Sequence, residues 1–190
     1  DAVWTEMERY KAEHPATRSM QAGNWTFLGP SNTSAVAGAG RLNFIRVHPT
    51  DPNTLFVGAP AGGLWKSTDG GSSWSTVTDH IAQVIGCTDI AIDPNNTNIM
   101  YLATGDGDAG DNYSVGVLKS TDGGNTWNTT GLSIAIGTST LMSRVMISPS
   151  NSNVILVAAS SGIYRSTDAG ATFSRVLIGG FKDMEFKPGD

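Results

Sequence analysis

The most constraining feature of this sequence is a nine-residue segment that occurs three times. The copies are KSTDGGSSW at 66–74, KSTDGGNTW at 119–127 and RSTDAGATF at 165–173. The aspartates of the three copies, Asp69, Asp122 and Asp168, are 53 and 46 residues apart. A period of roughly 40 to 50 residues is typical of the blades of a β-propeller. We call this segment the repeated motif.

Within each repeat the apolar residues alternate with polar ones, as in half-buried strands. The first repeat predicts four strands, at 43–48, 54–58, 64–67 and 74–77. This order places the repeated motif on the hairpin between the third and fourth strands. The sequence therefore predicts an all-β fold, a β-propeller of four-stranded antiparallel blades, with three blades and the first strand of a fourth from Lys182.

The pattern divides the chain into three parts. Residues 1–22 have the pattern of a short amphipathic helix or a leader, and residues 23–40 contain a strand and a Gly-rich loop. Residues 41–190 hold blades 1 to 3 and the first strand of blade 4. Closed propellers have at least about four blades. We therefore expect the rest of the ring as a partner, in the same or another chain.

Composition excludes several classes of partner. The net charge is −5 and the 12 basic residues are scattered, which argues against nucleic acid and anionic membranes. No apolar run reaches the length of about 18 residues that would predict a membrane span. The single cysteine, Cys87, lies among apolar residues and has no partner for a disulfide within this chain.

The repeated motif resembles the Asp-box, also called the BNR repeat, with the pattern SxDxGxTW. Asp-boxes occur in sialidases, sortilin-type domains and xyloglucanase-type glycoside hydrolases. In a tight turn the hydroxyl and the carboxylate can accept hydrogen bonds from backbone amides, which favours a structural role over a direct role in chemistry. The matching residues are Ser67, Asp69, Gly71 and Trp74, then Ser120, Asp122, Gly124 and Trp127, and then Ser166, Asp168, Gly170 and Phe173.

The turns between strands two and three lie at the opposite end of each blade. In the second repeat this turn expands to TGDGDAGDNYSVG, residues 104–116. It contains Asp106, Asp108, Asp111 and Asn112, and flexible loops rich in oxygen ligands can bind Ca²⁺. The loop thus predicts a calcium site. The alternatives are contact with another polar ligand, or side chains that cap the turns of their own loop.

The first strands of the blades line the central channel of a propeller. Alignment on the proline after each first strand puts Phe44, Asp89, Arg144 and Asp183 at equivalent positions. Opposite charges from neighbouring blades predict a polar ring that includes Asp89, Arg144 and Asp183. Such a ring is either a structural salt-bridge network or the floor of a ligand-binding face.

The stretch GRLNFIRVHPTDPNTLFVGAPAGGLWKS resembles the first blade of the xyloglucanase-type hydrolases. That resemblance implies a catalytic aspartate two residues before the Gly-Gly pair, and this chain has Pro60 there. Glycoside hydrolysis ordinarily needs two carboxylates. The arginine and tyrosine motifs of sialidases are not found either. We therefore assign no catalytic residue and favour a protein that is not an enzyme.

The order of a short helix, then NWTFLGP, then the first repeat resembles secreted Asp-box propellers of Bacteroidetes. That resemblance implies a bacterial protein that is secreted or held at the cell surface, with export by type IX secretion machinery. The leading hypothesis is a module that binds or scaffolds polysaccharide or another surface protein. The alternatives are a glycoside hydrolase with catalytic residues largely beyond Asp190, and a substrate caught in the export machinery.

Overall fold

A computed structural model of the protein describes residues 9, 40–81, 85–110 and 112–187. The chain divides into two compact units, 1–39 and 40–190. Only Arg9 is described in the first unit, so the predicted helical segment and the strand before the propeller lie outside the described residues. All strands given below belong to the second unit.

The second unit contains three four-stranded antiparallel sheets, each with its strands in chain order. This confirms the predicted all-β propeller blades. Blade 1 consists of β1 (Phe44–His48), β2 (Asp51–Gly58), β3 (Leu64–Ser67) and β4 (Ser75–Thr76). Blade 2 consists of β5 (Cys87–Ile92), β6 (Met100–Thr104), β7 (Gly116–Ser120) and β8 (Asn128–Ser133). Blade 3 consists of β9 (Met142–Ser148), β10 (Asn151–Ala159), β11 (Gly162–Ser166) and β12 (Ser174–Ile178).

The strand bounds differ from the sequence pattern at a few places. β2 begins three residues before its predicted start, because Asp51 pairs with His48 after an irregularity in the ladder. Residues 182–187, predicted as the first strand of a fourth blade, form no strand. A strand is held by hydrogen bonds to a neighbouring strand, and no further sheet is formed by the described residues to provide one.

The apolar core lies between the blades. One cluster joins Phe56 and Leu64 of blade 1 to Met100, Leu118 and Trp127 of blade 2. A second cluster joins blade 2 to blade 3 through Tyr101, Val117, Met142, Val145 and Val157. Blade 2 therefore buries both of its faces against the neighbouring blades, and blades 1 and 3 each bury one face against blade 2, as sheets packed face to face do.

The repeated motif forms the same hydrogen-bonded turn in every blade. In blade 1 the Ser67 hydroxyl donates to Asp69 Oδ1 at 2.8 Å and accepts from the amide of Gly71 at 2.9 Å. The Asp69 carboxylate also accepts from the amide of Ser73 at 2.8 Å and from its hydroxyl at 2.6 Å. Asp122 and Asp168 accept the equivalent bonds from Thr126 and Thr172.

The motif also connects neighbouring blades. The Nζ of Lys66 donates to the carbonyl of Gly123 in the next motif at 2.9 Å. In the same way the Nζ of Lys119 donates to the carbonyl of Ala169 at 2.9 Å. A Cβ built at Gly124 would lie 2.8 Å from the ring of Phe56 on the preceding blade, so only glycine fits there.

These turns predict a loss of stability in acid. Hydrogen bonds lower the pKa of each motif carboxyl to about 2, with the largest contribution from Ser73 for Asp69, Thr126 for Asp122 and Thr172 for Asp168. A lowered pKa in the folded state stabilises the fold above the unfolded pKa of about 4, and this stabilisation is lost as the pH falls from about 4 to about 2.

Urea unfolding at a series of pH values measures this effect. In the wild-type chain we expect the urea midpoint to fall over that window. Asp122→Asn keeps the shape but cannot ionise, so we expect a lower midpoint at neutral pH and a weaker decrease toward pH 2. An equal decrease of the urea midpoint in the wild type and in Asp122→Asn would contradict the assignment of the acid sensitivity to the motif carboxylates.

Candidate functional site

A groove runs between the first strands of the three blades. It has a volume of about 270 Å³ and is lined by Arg46, Val47, Pro49, 89–92 and 144–147. Its apolar lining comes from isoleucine, valine, alanine and methionine side chains of β1, β5 and β9. Its charged groups are Arg46, Asp89 and Arg144. We call it the channel groove, because first strands line the channel of a propeller.

Asp89 is the centre of the charged groups. Its Oδ1 accepts from Arg46 Nη2 at 3.1 Å, and its Oδ2 accepts from the amide of Val145 at 3.1 Å and lies 3.6 Å from Arg144 Nε. The residue is only 4% exposed. Burial raises the pKa of Asp89, while the Val145 amide and the two guanidinium groups act in the opposite direction. One buried carboxylate thus connects all three blades.

The row of charges continues past Arg144. Its Nε lies 3.4 Å from Asp183 Oδ1, and its Nη2 donates to Glu185 Oε1 at 2.9 Å. The structure therefore brings together Asp89, Arg144 and Asp183, the three residues predicted for the polar ring. The side chains of Asp183 and Glu185 are largely exposed, so this end of the row faces water.

Sequence alignment missed two members of this row. Phe44 holds the equivalent position in blade 1, but its ring lies against Gly58, where a Cβ would overlap it. Arg46, two residues further along the same strand, contacts Asp89 instead, and Glu185 stands two residues after Asp183 in the same way. Since residues i and i+2 share a face of a strand, a search of both positions would have found them.

The acidic loop of blade 2, residues 105–115, lies between β6 and β7. Asp106 is fully buried and forms an ion pair with Arg41, and Asp108 Oδ2 lies 3.7 Å from Arg41 Nη1. Lys182 Nζ donates to the carbonyl of Gly107. Two basic side chains from before blade 1 and after blade 3 thus meet on this loop.

The calcium prediction concerned this loop. Asp111 lies outside the described residues and Asn112 is half-buried. Among the residues that are described, no group of three or more His, Cys, Asp or Glu side chains is placed to hold a metal ion. The Arg41 guanidinium supplies positive charge to Asp106 where the prediction placed Ca²⁺. The calcium site stays a prediction, which calorimetric titration of Ca²⁺ into the chain would test.

The turn that contains Pro60 lies beside the acidic loop. The carbonyl of Ala59 accepts from the amide of Cys87 at 3.0 Å, and the carbonyl of Gly86 accepts from the amide of Gly105 at 2.8 Å. The segment 85–87 therefore separates the two turns. Pro60 offers neither a proton donor nor a nucleophile.

The fold and the groove together define a segment of a β-propeller with a charged channel face. No helix of the described residues is long and apolar enough to cross a membrane. No family model matches the chain. Curated relatives and solved structures do match it.

The curated relatives carry the name xyloglucanase. The chain is 31% identical to the xyloglucanase of Hypocrea jecorina over 157 residues, which are 76% of this chain and 19% of that protein. It is 28% identical to a xyloglucanase of Paenibacillus sp over 156 residues, which are 76% of this chain and 15% of the relative. The chain thus spans at most about a fifth of the length of these relatives.

The solved structures agree with this similarity. An ancestral GH74 enzyme superposes with a TM-score of 0.60 at 27% identity, covering 72% of this chain and 18% of that one. The GH74 enzyme of Niastella koreensis superposes with a TM-score of 0.56 at 25% identity, covering 74% and 22%. The three blades are thus similar to part of a GH74 propeller.

Proposed function

We propose that this chain is part of a propeller that binds polysaccharide through the channel groove. The observation that carries the proposal is that the charged residues Arg46, Asp89 and Arg144 line the channel groove together with apolar side chains, in a chain similar to proteins named xyloglucanase. Guanidinium groups donate to sugar hydroxyls and a carboxylate accepts from them. The apolar lining packs against the C–H faces of the sugar rings, as in other ligand pockets.

The residues in and beside the turn that contains Pro60 favour binding over hydrolysis. Hydrolysis of a glycosidic bond ordinarily uses two carboxyl groups, one of which donates a proton. Pro60 holds the position at which the resemblance to xyloglucanases implies one of them. Asp106, in the adjacent loop, is ion-paired with Arg41. This buried carboxylate is therefore already engaged by a cation of the same chain.

The alternative function is a glycoside hydrolase whose catalytic residues lie outside this segment. The observation that favours it is the name of the curated relatives, which are enzymes. In that case this segment supplies substrate-binding residues and the chemistry takes place on other blades.

Xyloglucan is the first probe to use, and binding is measured by calorimetry or affinity electrophoresis. Arg46→Ala removes one charged donor, and we expect about tenfold weaker binding, since a hydrogen bond to a charged group is worth about 1.5 kcal/mol or more. Arg175→Ala, an exposed arginine on β12, is the matched control and should bind as the wild type does. Equal affinities of the two variants would contradict the groove as the binding site.

Release of reducing sugar separates the two functions. The proposal expects binding without release, and steady turnover by the purified chain would contradict it. If xyloglucan does not bind, a polysaccharide array identifies the class of ligand. Absence of binding to any polysaccharide would overturn the proposed function.

We also propose that the protein acts outside the cell, either secreted or at the cell surface, where polysaccharide is met. Detection of the protein in culture medium or on intact cells tests this location. Export by type IX secretion machinery stays a prediction.

We further infer that the three repeated motifs are Asp-boxes with a structural role. Their support is the shared set of hydrogen bonds in which each aspartate is an acceptor within its own turn. We expect that Asp69→Asn leaves the affinity for polysaccharide unchanged. A loss of affinity without a loss of stability would contradict this role.

A further inference from the structure

The lysine that begins the repeated motif contacts the following motif at both interfaces between blades, but the two sets of contacts differ. Between blades 1 and 2, Lys66 Nζ donates to the carbonyl of Gly123 at 2.9 Å and to Asn125 Oδ1 at 2.8 Å. The Nδ2 of Asn125 donates in turn to the carbonyl of Asp122 at 2.6 Å. At this interface a carboxamide group therefore bridges a lysine donor and a backbone acceptor.

The interface between blades 2 and 3 has the same lysine without the carboxamide. Lys119 Nζ donates to the carbonyl of Ala169 at 2.9 Å. The repeated motif places Ala171 at the position of Asn125. Alanine has no polar side-chain atom, so it supplies neither the acceptor nor the donor of a carboxamide. Because an ammonium group can donate more than one hydrogen bond, Lys119 keeps donor capacity on the side where Lys66 meets the amide.

A pocket of about 380 Å³ lies at this second interface, and it is lined by Lys119, 129–131 and 168–171. This volume is within the range of about 300 to 1,000 Å³ that is typical of ligand pockets. One wall is fixed by backbone, because the amide of Gly131 donates to the carbonyl of Gly170 at 2.9 Å and a Cβ at Gly131 would overlap the carbonyl of Ala171. The pocket lies on the fourth strand of blade 2, whereas the channel groove lies on the first strands. We call it the interblade pocket.

We propose that the interblade pocket binds the acetamido group of an N-acetylated amino sugar. This group is a carboxamide like that of Asn125. Its carbonyl oxygen accepts from Lys119 Nζ and its N–H donates to the carbonyl of Asp168, which are the equivalents of the two partners of Asn125. A carbonyl oxygen can accept more than one hydrogen bond, so Asp168 also keeps the one from the amide of Ala171 at 3.3 Å. The methyl group packs against the side chain of Ala171.

The rim of the pocket favours a sugar over an asparagine or glutamine side chain of a partner protein. Thr129 and Asp168 are exposed residues of the lining, and they offer a hydroxyl and a carboxylate. Sugar hydroxyl groups can donate to a carboxylate and exchange hydrogen bonds with a hydroxyl. A protein amide brings no such hydroxyl groups. The charges of Lys119 and Asp168 also balance, which suits an uncharged sugar.

Calorimetric titration with a tetramer of β-1,4-linked N-acetylglucosamine tests the proposal. Ala171→Asn gives the motif of blade 3 the amide that the motif of blade 2 already has, so the side chain of the variant should occupy the site. We expect at least about tenfold weaker binding, since the ligand loses its hydrogen bond to the charged Lys119. Ser72→Asn adds the same side chain at the same motif position of blade 1, and this control should bind as the wild type does.

Saturation-transfer NMR identifies the group of the sugar that is bound. In the wild type we expect the strongest transfer to the acetyl methyl protons of the tetramer, and this transfer should be lost in Ala171→Asn. Both variants should melt as the wild type does, because positions 72 and 171 are exposed. Failure of the tetramer to bind, equal affinities of the wild type and Ala171→Asn, or binding of a glutamine-rich peptide in place of the tetramer would overturn the proposal.

The interblade pocket is separate from the channel groove and does not rest on the function proposed for that groove. Ala171→Asn should therefore leave the affinity for xyloglucan unchanged, and Arg46→Ala should leave the methyl signal of the tetramer unchanged. Each proposal can thus fail while the other stands.

Discussion

Replacing Asp89 by alanine is expected to lower the free energy of unfolding by about 2 to 3 kcal/mol. Removing one partner of a buried ion pair costs about 3 to 5 kcal/mol, because the remaining charges are left unpaired. We expect a smaller cost here, since the side chain of Arg46 is 43% exposed and water can solvate its guanidinium. The change also leaves the amide of Val145 without its acceptor. Urea unfolding at neutral pH measures the effect.

Two variants show whether the cause is the buried charge. Asp183→Ala removes another carboxylate of the same row, but its side chain is 67% exposed, so we expect a change below about 0.5 kcal/mol. Asp89→Asn keeps an acceptor for the amide of Val145, so its loss of stability should lie between those of Asp89→Ala and Asp183→Ala. If Asp89→Ala and Asp183→Ala lost the same stability, Asp89 would not be the residue that connects the blades.

Replacing Gly86 by alanine is expected to cost about 3 kcal/mol or more. A Cβ at this position would lie 2.5 Å from the carbonyl oxygen of Pro60 and closer still to that of Gly105. Both are backbone atoms, and each is held by its own turn, so neither can move aside as a side chain can. Overpacking of this kind typically costs about 1 to 3 kcal/mol, and more when backbone must shift.

Gly62→Ala is the matched control for this experiment. Gly62 lies in the turn that contains Pro60, and a Cβ there would meet its nearest neighbours at 3.4 and 3.6 Å, which is ordinary contact. We expect little change in its thermal midpoint, while that of Gly86→Ala should fall by roughly 5 °C or more. Similar midpoints for the two variants would show that the turns of blades 1 and 2 are not fixed against the segment 85–87.

The repeat made the fold predictable, whereas the site was predictable only in part. The period, the alternation of apolar residues and the turn chemistry of Asp69, Asp122 and Asp168 are all local features. They identified three four-stranded blades and the hairpin that holds each motif. Which side chains form the charged row depends on how the first strands of neighbouring blades lie against each other, and this is not a local feature. Alignment on the prolines found Asp89 and Arg144. For blade 1 it gave Phe44, whereas Arg46 makes the contact with Asp89.

The acidic loop shows a second limit of prediction from the sequence. Its spacing of carboxylates suggested a cation, and in the fold a cationic side chain, Arg41, reaches Asp106 from 65 residues away. Lys182 reaches the same loop from the other side. Neither basic residue belongs to the repeat, and a pattern within the loop gives no information about what lies opposite it.

Sequence alone determined the blade, because the strands, the turn glycines and the motif hydrogen bonds all arise within about 50 residues of chain. The tertiary structure decided which contacts form between the blades and which side chains those contacts bury. Stacking placed Asp89 between Arg46 and Arg144, and Gly124 against Phe56. It also buried Trp127 while it left the equivalent Trp74 exposed. Two nearly identical motifs thus differ in environment, because burial depends on whether another blade lies against them.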